Sequence, residues 1–324
     1  MADNPYYYSF ADYCKDTFGR RLYRVPVDAG FTCPNRDGKA GVGGCIFCGE
    51  AGSGEFAVKV GNEILDLGLD DIQHVLGSRA KRDASPGDFI CYFQSFTNTY
   101  APVSRLEDLF RGALQNPMFA GISIATRPDC MGSDVLELLD RLKQDFPEKF
   151  IWVELGLQTM HDRTAKLINR GYMLDTFTEC VRNMRALKIP VIVHVIIGLP
   201  WETANDVYET IDFLNGQGIS GIKLSLLHII KGTRLYDICK GPRYLTDEES
   251  NKVYVNVLDF DEYVDIVCGC LERLDKGIVV HRLTGDGDPK TLAAPLWSLE
   301  KGKVLNEIRK RLKERKTQNL RTIT

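Results

Sequence analysis

The stretch from Cys33-Pro34-Asn35-Arg36-Asp37-Gly38 to Gly44-Cys45-Ile46-Phe47-Cys48 carries three cysteines within sixteen residues. Eleven residues separate Cys33 from Cys45, and two separate Cys45 from Cys48. A loop must curl tightly to turn three thiols toward one point, and glycine permits the positive φ angles that such a curl needs. The glycines in and just after this stretch are Gly38, Gly41, Gly43, Gly44, Gly49, Gly52 and Gly54. We call residues 33–48 the cysteine loop.

Three kinds of site compete for these thiols. A disulfide framework is disfavoured because no secretory signal precedes the cysteines and because three is an odd number. A structural zinc site needs four ligands, whereas the loop offers three and the first histidine after it is His74. An iron–sulfur cluster is held by cysteine thiolates, and with three of them one iron stays open for another ligand. The spacing favours the cluster and leaves zinc as the alternative.

The cysteine loop resembles the cluster loop of radical S-adenosylmethionine (SAM) enzymes, which place an aromatic residue before the last cysteine, as Phe47 does here. With its long first gap and the run AGFTCPNRDG at 29–38, the chain is similar to the YtqA/YhcC-like family, which is related to the catalytic subunit of Elongator. The resemblance implies that Cys33, Cys45 and Cys48 bind a [4Fe-4S] cluster whose open iron chelates SAM. One electron would cleave SAM to methionine and a 5′-deoxyadenosyl radical, which abstracts hydrogen from the substrate.

Composition indicates a globular protein of ordinary type. The 324 residues are 44% apolar and 26% charged, and no apolar run reaches the roughly twenty residues that span a bilayer. Ten cysteines without a secretory signal fit a reducing compartment, so we expect a soluble cytoplasmic protein without membrane contact. The net charge is −3, yet residues 301–324 hold nine Lys/Arg and two Glu, which leaves −10 for the first 300 residues. A basic tail on an acidic body suggests a polyanionic partner, with a solvated surface helix as the alternative.

Short apolar runs alternate with longer helical patterns along most of the chain. The predicted strands are Leu22–Val27, Asp88–Phe93, Gly121–Ala125, Phe150–Leu157, Pro190–Ile197 and Gly221–Leu227, with a later one at Gly277–Leu283. Helices are predicted near 62–80, 104–115, 133–146, 174–187, 203–216, 246–275 and 300–316, with Ser133, Asp175 and Thr203 as N-caps. This α/β rhythm predicts parallel βαβ units, in a partial barrel or an open sheet.

The family resemblance chooses between these two architectures. It implies a partial (β/α)6 barrel of the radical SAM type, with its chemistry at the carboxyl ends of the strands, as in full barrels. We therefore expect a radical SAM core over residues 1–230, with the cysteine loop at 33–48. A mainly helical C-terminal extension over residues 231–324 follows, and it ends in a basic helix.

Polar residues follow several predicted strands, and the resemblance assigns some of them to SAM. The second strand is followed by Gln94, where radical SAM enzymes often carry Gly-Gly-Glu, so Gln94 is assigned only loosely. The third ends in Thr126-Arg127-Pro128-Asp129, which resembles a motif of the Elongator relative, although Ala125 replaces the expected glutamate. We count Gln94 and Thr126 as cofactor-binding candidates, with a polar turn as the alternative for Gln94.

The fourth and fifth strands supply the remaining cofactor-binding candidates. The fourth strand carries Glu154 and Gln158, and Arg170 follows it in Ile168-Asn169-Arg170-Gly171. By likeness to coproporphyrinogen dehydrogenases, Gln158 and Arg170 would hold the amino-acid part of SAM, since a guanidinium pairs with a carboxylate through two charge-assisted bonds. His194, on the fifth strand, aligns with a SAM-contacting position. A surface cation at a helix end is the alternative for Arg170, and a satisfied core residue is the alternative for His194.

The sixth strand provides the two catalytic candidates, Lys223 and His228. A lysine is costly to bury unpaired, so Lys223 should face the barrel interior and meet a carboxylate of the substrate or a partner group. Arg282 and Asp286 are weaker candidates.

The family likeness points to modification of a tRNA wobble uridine at its C5 side chain, with flavodoxin or ferredoxin as a typical one-electron reductant. No acetyltransferase segment follows the barrel, so the product must differ from that of Elongator. The basic C-terminal helix would present Lys303, Lys310 and Lys313 to tRNA phosphates. The alternatives are a radical SAM enzyme that acts on a free metabolite and a non-catalytic zinc-binding module on RNA.

Overall fold

The computed structural model describes residues 4–50, 52, 57–60, 66–77, 84–240, 244–245, 253–255 and 257–322. Its strands are β1 Tyr23–Asp28, β2 Val58–Lys59, β3 Phe89–Phe93, β4 Phe119–Thr126, β5 Phe150–Gln158, β6 Val191–Ile197, β7 Gly221–Leu226, β8 Ile229–Ile230, β9 Tyr244–Leu245, β10 Val253–Tyr254, β11 Val279–Arg282 and β12 Leu292–Ala294. Its α-helices are α1 Phe10–Phe18, α2 Leu69–Leu76, α3 Val103–Gln115, α4 Ser133–Asp145, α5 Asp162–Leu167, α6 Leu174–Ala186, α7 Ala204–Asn215, α8 Arg234–Lys240, α9 Phe260–Arg273 and α10 Lys301–Thr322.

One parallel sheet of eight strands organises the chain, in the order β11-β7-β6-β5-β4-β3-β1-β2. Each strand from β3 to β7 lies beside its neighbour in sequence, and helices α3, α4, α6 and α7 connect them. A parallel pair needs such a crossover, and the crossover helices bury the outer face of the sheet. The predicted alternation of strands and helices is therefore confirmed.

The sheet curls into a barrel, as two contacts between distant strands require. In a flat sheet β3 and β7 would lie four strand spacings apart, about 19 Å, yet Lys223 Nζ lies 3.0 Å from the Tyr92 hydroxyl. Strands β1 and β11 would lie roughly 29 Å apart, yet Arg24 and His281 are hydrogen-bonded. The polar side chains of these strands therefore meet inside a barrel.

Helix α1 closes the amino-terminal end of this barrel. Phe10 and Tyr13 pack edge-on against Trp152 in a cluster that also buries Cys14 and Leu22. The helix is held by Ser9, its N-cap, which forms an isolated parallel bridge with Val280 of β11. The carboxyl ends of the strands, at the opposite end, are left for the site.

The predicted caps and boundaries need some correction. Thr203 caps α7 with Asp206 as its capping-box partner, as predicted. Ser133 and Asp175 are wrong as N-caps, because α4 begins at Ser133 after Gly132 and α6 begins after Met173. Asp175 lies in the first turn of α6, where a carboxylate still favours the helix dipole. Of the helix predicted over 62–80, residues 62–65 and 78–80 lie outside the described residues, as do 246–252 of the helix predicted over 246–275.

The C-terminal region is mainly helical, as predicted, and it also completes the sheet. Strand β11 pairs with β7, while α10 packs on α9 with Val304, Ile308 and Leu312 buried. The domain boundary at residue 230 stays a prediction. None of the helices in the described part of the chain is both long and apolar enough to cross a membrane.

Candidate active site

The cysteine loop leaves the carboxyl end of β1 and turns twice on backbone hydrogen bonds. The Arg36 N–H donates to the Cys33 carbonyl at 2.8 Å, and the Cys48 N–H donates to the Cys45 carbonyl at 3.0 Å. Gly44 adopts a φ of +77°, which a side chain would strain. All three cysteines are free thiols and partly exposed, so they form no disulfide.

Two side chains of the loop donate toward its sulfur atoms. The Asn35 amide nitrogen lies 3.6 Å from Cys45 Sγ, and Arg36 Nη2 lies 4.0 Å from Cys48 Sγ. Burial, and next the neighbouring Cys48, raise the pKa of the Cys45 thiol to about 12. Burial also raises the pKa of Cys48, against the opposing charge of Arg36. Three thiols with N–H donors and a cation beside them are a donor set that suits a thiolate-bound iron–sulfur cluster.

The loop is fastened to the segment that follows α5. Asn35, fully buried, donates to the Asn169 carbonyl at 2.5 Å, and Asn169 donates from its side chain to the Gly44 carbonyl at 2.7 Å. The Ile46 N–H donates to the Ile168 carbonyl at 3.1 Å. The position of the cysteines is thus set by residues more than a hundred positions away in the chain.

Arg170 holds this same segment in shape. Its side chain is 1% exposed and donates to the carbonyls of Leu157 at 2.8 Å, Thr159 at 2.7 Å and Tyr172 at 3.0 Å, and to Asp162 Oδ1 at 3.2 Å. Every nitrogen of the guanidinium therefore has a protein acceptor. Arg170 thus lies among backbone carbonyls behind the end of β5. Its N–H groups already donate to these carbonyls and to Asp162.

Arg127, the residue after β4, links the end of that strand to the segment that follows α5. It forms two hydrogen bonds with Asp129, at 2.9 and 2.7 Å, and donates to the Arg170 carbonyl at 2.7 Å. Gly171, with φ at +83°, lies so close that a Cβ there would be 2.8 Å from Asn35 Oδ1. Arg127 Nη2 would lie 3.2 Å from the same Cβ, so the segment needs glycine at this position.

The predicted SAM-binding residues at the strand ends lie at the same mouth. Gln158 ends β5 with a φ of +64°, and its amide, correctly oriented, donates to the Gly156 carbonyl at 3.0 Å. Thr126 ends β4, and its hydroxyl shares a 2.5 Å hydrogen bond with Thr99. Gln94 follows β3, is partly exposed, and donates from its backbone to the Val27 carbonyl at 3.3 Å.

Deeper in the barrel, polar side chains from successive strands form a connected layer. We call this layer the barrel floor. It consists of Arg24 from β1, Tyr92 from β3, Ser123 from β4, Glu154 from β5, His194 from β6, Lys223 from β7, and His281 and Arg282 from β11.

Glu154 is the centre of the barrel floor. It is fully buried and accepts from Ser123 at 2.7 Å, from His194 at 2.6 Å and from the Lys223 ammonium. Burial opposes ionisation of Glu154, but Lys223 and then His194 outweigh it and hold the pKa of this carboxyl well below its usual range. The carboxylate that Lys223 was expected to meet thus belongs to the protein itself.

Lys223 and His194 titrate abnormally for the same reason. Burial lowers the pKa of Lys223 to about 7, against the attraction of Glu154. Burial, and next Lys223, lower the pKa of His194, so this imidazole is neutral near pH 7. Perturbed titratable groups in a cleft are typical of functional sites.

His228 lies apart from these groups. Its ring packs against the loop of Gly285 and Gly287, its Nε2 is buried without a partner among the described residues, and burial lowers its pKa to about 4. Within the described residues it has no hydrogen bond to Lys223 or Glu154. The two predicted catalytic residues are therefore not brought together.

Residues 42–214 match the family described as the Radical SAM superfamily, and residues 219–314 match the Radical_SAM C-terminal domain. The chain belongs to the radical SAM superfamily. It is 39% identical over 323 residues to the uncharacterized protein YtqA of Bacillus subtilis, which covers 97% of this chain and 94% of YtqA. It is 27% identical over 137 residues to Elongator complex protein 3 of Mus musculus, over 41% of this chain and 24% of that protein. The solved structure of archaeal Elp3 from Methanocaldococcus infernus matches with a TM-score of 0.54 at 16% identity, over 69% of this chain and 54% of that chain.

Radical SAM enzymes use a [4Fe-4S] cluster and SAM, so the cofactors and the fold class expected from the sequence are confirmed. In this radical SAM enzyme the donor set of the cysteine loop fits the cluster, since three free thiols lie on one glycine-rich loop at the barrel mouth. The roles of individual residues stay predictions.

Sequence reasoning missed several members of this site. Arg24, Tyr92 and Ser123 lie in mostly apolar strands, at alternate positions that face the barrel interior. The alternation of side chains along each strand could have identified them as inward-facing. Asn35 was passed over because the cysteines around it dominated the loop. Its contact with Asn169 spans 134 positions, which no local pattern encodes.

Proposed function

We propose that this radical SAM enzyme modifies the C5 side chain of a tRNA wobble uridine, in the cytoplasm, with a one-electron reductant such as flavodoxin or ferredoxin as its protein partner. The cluster and SAM, when bound, supply a 5′-deoxyadenosyl radical that abstracts hydrogen from the substrate. The observation that carries the chemistry is the set of three free thiols on a loop fastened across the mouth of a parallel barrel. The sequence likeness to Elongator complex protein 3 supports the substrate class.

Residues of the cysteine loop, of β5 and of the segment after α5 would bind the cluster and SAM. Cys33, Cys45 and Cys48 would hold three irons of the cluster and leave the fourth open to SAM. Gln158, at the end of β5, would contact the amino-acid part of SAM. Arg170 would act indirectly, because its guanidinium fixes the carbonyls of the segment that carries the cysteine loop. This role replaces a direct bond from Arg170 to the SAM carboxylate.

Further SAM contacts would come from the neighbouring strands. Gln94 and Thr126 lie at the ends of β3 and β4, on the mouth of the barrel. His194 and Glu154 lie deeper, in the barrel floor, and His194 keeps 28% of its side chain exposed, so a small ligand that lies below SAM can reach it. Lys223 would support these groups by holding Glu154 ionised. A direct catalytic role for His228 needs substrate that reaches the Gly285–Gly287 loop.

Helix α10 supports an RNA partner. Its apolar face is buried, while Lys303 and Lys310 each expose 62% of their side chains and Lys313 is also exposed. Arg311 and Arg315 do not face outward in this way, because they form ion pairs with Asp261, Asp265 and Glu272. A rigidly docked helix with an exposed row of lysines suits the successive phosphates of an RNA strand.

The test has two arms. In the first, Cys33→Ala, Cys45→Ala and Cys48→Ala should each abolish iron loading and SAM cleavage in anaerobically reconstituted protein, whereas Cys180→Ala, a buried cysteine of α6, should not. Full iron and activity in Cys45→Ala would remove the cluster assignment. In the second, total tRNA from a gene-deletion strain is compared with wild type by nucleoside mass spectrometry. Loss of a modified wobble uridine is expected, and an unchanged profile would direct the search to a free metabolite.

A further inference from the structure

The barrel floor carries more positive than negative charge, and we infer that it binds the carboxylate group of a small second ligand that lies between the floor and SAM. Arg24, Lys223 and Glu154 form the centre of this site, and Arg282 lies beside Lys223. The inference extends the proposed function by one ligand, and its binding test does not require that tRNA be the substrate.

Arg282 reaches the interior because β11 contains a bulge. Two residues of β11, His281 and Arg282, lie opposite Lys223 alone, and Arg282 is its register partner. Such a bulge lets consecutive side chains point to the same side of a sheet. His281 also points inward, since it stacks on Phe10 and contacts Trp152.

The charges of the floor do not cancel. Arg24, Lys223 and Arg282 are cations, and Glu154 is the carboxylate that pairs with Lys223. Asp286 pairs both with Arg282, at 3.0 Å, and with Lys301, at 2.6 Å. Burial lowers the pKa of His281 and of His194, so neither imidazole contributes charge near pH 7. Lys223 and Arg282 therefore each have a carboxylate partner, whereas Arg24 has none among the described residues.

Arg24 has hydrogen-bonding capacity that the described residues do not use. One of its terminal nitrogens contacts His281 Nδ1, its Cζ lies 3.9 Å from the centre of the Phe10 ring, and its Nε is buried without a partner among the described residues. No carboxylate in the described part of the chain forms an ion pair with it. Arg24 is only partly exposed, and a cation that loses water contacts without gaining a carboxylate is costly, which a cation–π contact offsets only in part. A bound anion would satisfy the remaining capacity.

A hollow lies above the floor, as the partial exposure of the residues that line it indicates. Inward-facing residues there, Gly156, Gln158, Ile196 and Ser225, are partly exposed, whereas Leu155 and Leu157, which face outward between them, are fully buried. Glu154 lies four residues below the end of β5, which corresponds to about 13 Å along the strand. The hollow therefore separates the floor from the strand ends by the length of a small molecule.

Charge favours a monocarboxylate over a phosphate, whereas a guanidinium pairs with either group through two hydrogen bonds. Glu154 is ionised and buried in the same layer, and its charge repels a phosphate dianion more strongly than a monocarboxylate. Lys223 reinforces this preference, because an adjacent anion stabilises its ammonium form.

The experiment uses the full-length, anaerobically reconstituted enzyme saturated with SAM, so that the open iron is already occupied. Acetate, its neutral isostere acetamide, and inorganic phosphate serve as probes, and saturation-transfer NMR measures their dissociation constants. Acetate should bind, and acetamide should bind at least tenfold more weakly. Equal binding of acetate and acetamide in the wild-type enzyme would overturn the inference without any variant. Tighter binding of phosphate than of acetate would overturn the ligand class.

Two variants locate the site. Arg24→Gln should weaken acetate binding about tenfold or more, while Arg21→Gln, an exposed arginine three positions away, should leave it unchanged. SAM affinity and iron content are measured on the same samples. If Arg24→Gln does not fold, Arg282→Gln provides the same comparison, with a smaller loss because this arginine lies at the edge of the floor. Unchanged acetate binding in folded Arg24→Gln would overturn the inference. The role of Arg24 would then be limited to its contacts with Phe10 of α1 and His281 of β11.

Discussion

The side-chain amide of Asn35 joins two parts of the site at once: it lies 2.5 Å from the carbonyl oxygen of Asn169 and 3.6 Å from the sulfur of Cys45. The first contact fixes the cysteine loop to the segment behind β5. The second places an N–H donor on a cysteine ligand, and such donors favour the more electron-rich, reduced cluster.

We therefore expect Asn35→Ala to lower the reduction potential of the cluster and to weaken iron retention. The potential is measured by redox titration with electron paramagnetic resonance detection. Asn205→Ala, an exposed asparagine of α7, is the control and should change neither quantity. An unchanged potential in iron-replete Asn35→Ala would limit the role of Asn35 to loop attachment.

Arg170 and Gln158 should behave differently when replaced by alanine. Arg170→Ala leaves three buried carbonyls without their donor, so the free energy of unfolding should fall on the order of 3 kcal/mol or more, with loss of cluster loading. Gln158→Ala should leave stability within about 1 kcal/mol of wild type and weaken SAM binding roughly tenfold. Urea unfolding and equilibrium SAM binding separate the two effects. If Arg170→Ala weakened SAM binding but left the free energy of unfolding unchanged, Arg170 would instead contact SAM directly.

The Lys223–Glu154 pair should show strong coupling in a double-mutant cycle. Lys223→Met leaves Glu154 buried without its cation, which should destabilise the fold by about 3–5 kcal/mol. Adding Glu154→Gln should recover part of that loss, because the uncompensated charge disappears. The exposed pair Arg141–Glu107, 2.7 Å apart, is the control and should couple by less than about 1 kcal/mol. Additive effects at Lys223 and Glu154 would show that hydration, and not pairing, keeps them in the floor.

Glu202 makes stability depend on pH. Burial raises its pKa to about 7, against hydrogen bonding from Thr159 and the charge of His161, and its Oε1 has no partner among the described residues. The folded state holds this proton more tightly than the unfolded chain. The stability that Glu202 contributes is therefore fully present below the ordinary carboxyl pKa of 4.5 and is lost as the pH rises through about 7.

Glu202→Gln should therefore raise the free energy of unfolding at pH 8 by up to about 3 kcal/mol and leave it nearly unchanged at pH 4. Thermal unfolding across this range measures the difference. Glu148→Gln, at an exposed position, serves as the control and should produce a flat difference. A pH-independent effect of Glu202→Gln would assign the change to packing instead of ionisation.

The sequence was informative where the physics is local. Continuous apolar runs such as Phe89–Phe93 predicted the strands, because a doubly covered parallel sheet needs them. Thiol spacing indicated an iron–sulfur cluster, because three cysteines on one short loop can reach the same metal centre. The surroundings of Arg170 were not predictable in this way, since its acceptors are backbone carbonyls that every residue possesses. The same holds for Arg24, whose partner His281 lies 257 positions away.

The exposed lysines of α10 provide the final test of the RNA proposal. Lys303 and Lys310 form ion pairs with Glu300 and Glu307 at 3.6 and 3.2 Å, and both remain mostly exposed. Changing Lys303, Lys310 and Lys313 to glutamine keeps the buried face of the helix intact and removes only charge. If these lysines contact phosphates, tRNA affinity should fall, and the log–log salt slope should flatten by roughly one unit per lysine lost.

The control is a second triple variant that removes the same amount of charge from exposed positions outside α10. In it, glutamine replaces Lys15, Lys166 and Lys276. It should leave the salt slope of tRNA binding near that of wild type, and SAM cleavage without RNA should be unaffected in both variants. An equal change of slope in the two variants would reflect net charge alone. An unchanged salt slope of tRNA binding in the α10 variant would show that α10 only packs on α9 and does not contact RNA. Its buried face and the ion pairs of Arg311 and Arg315 already explain its position.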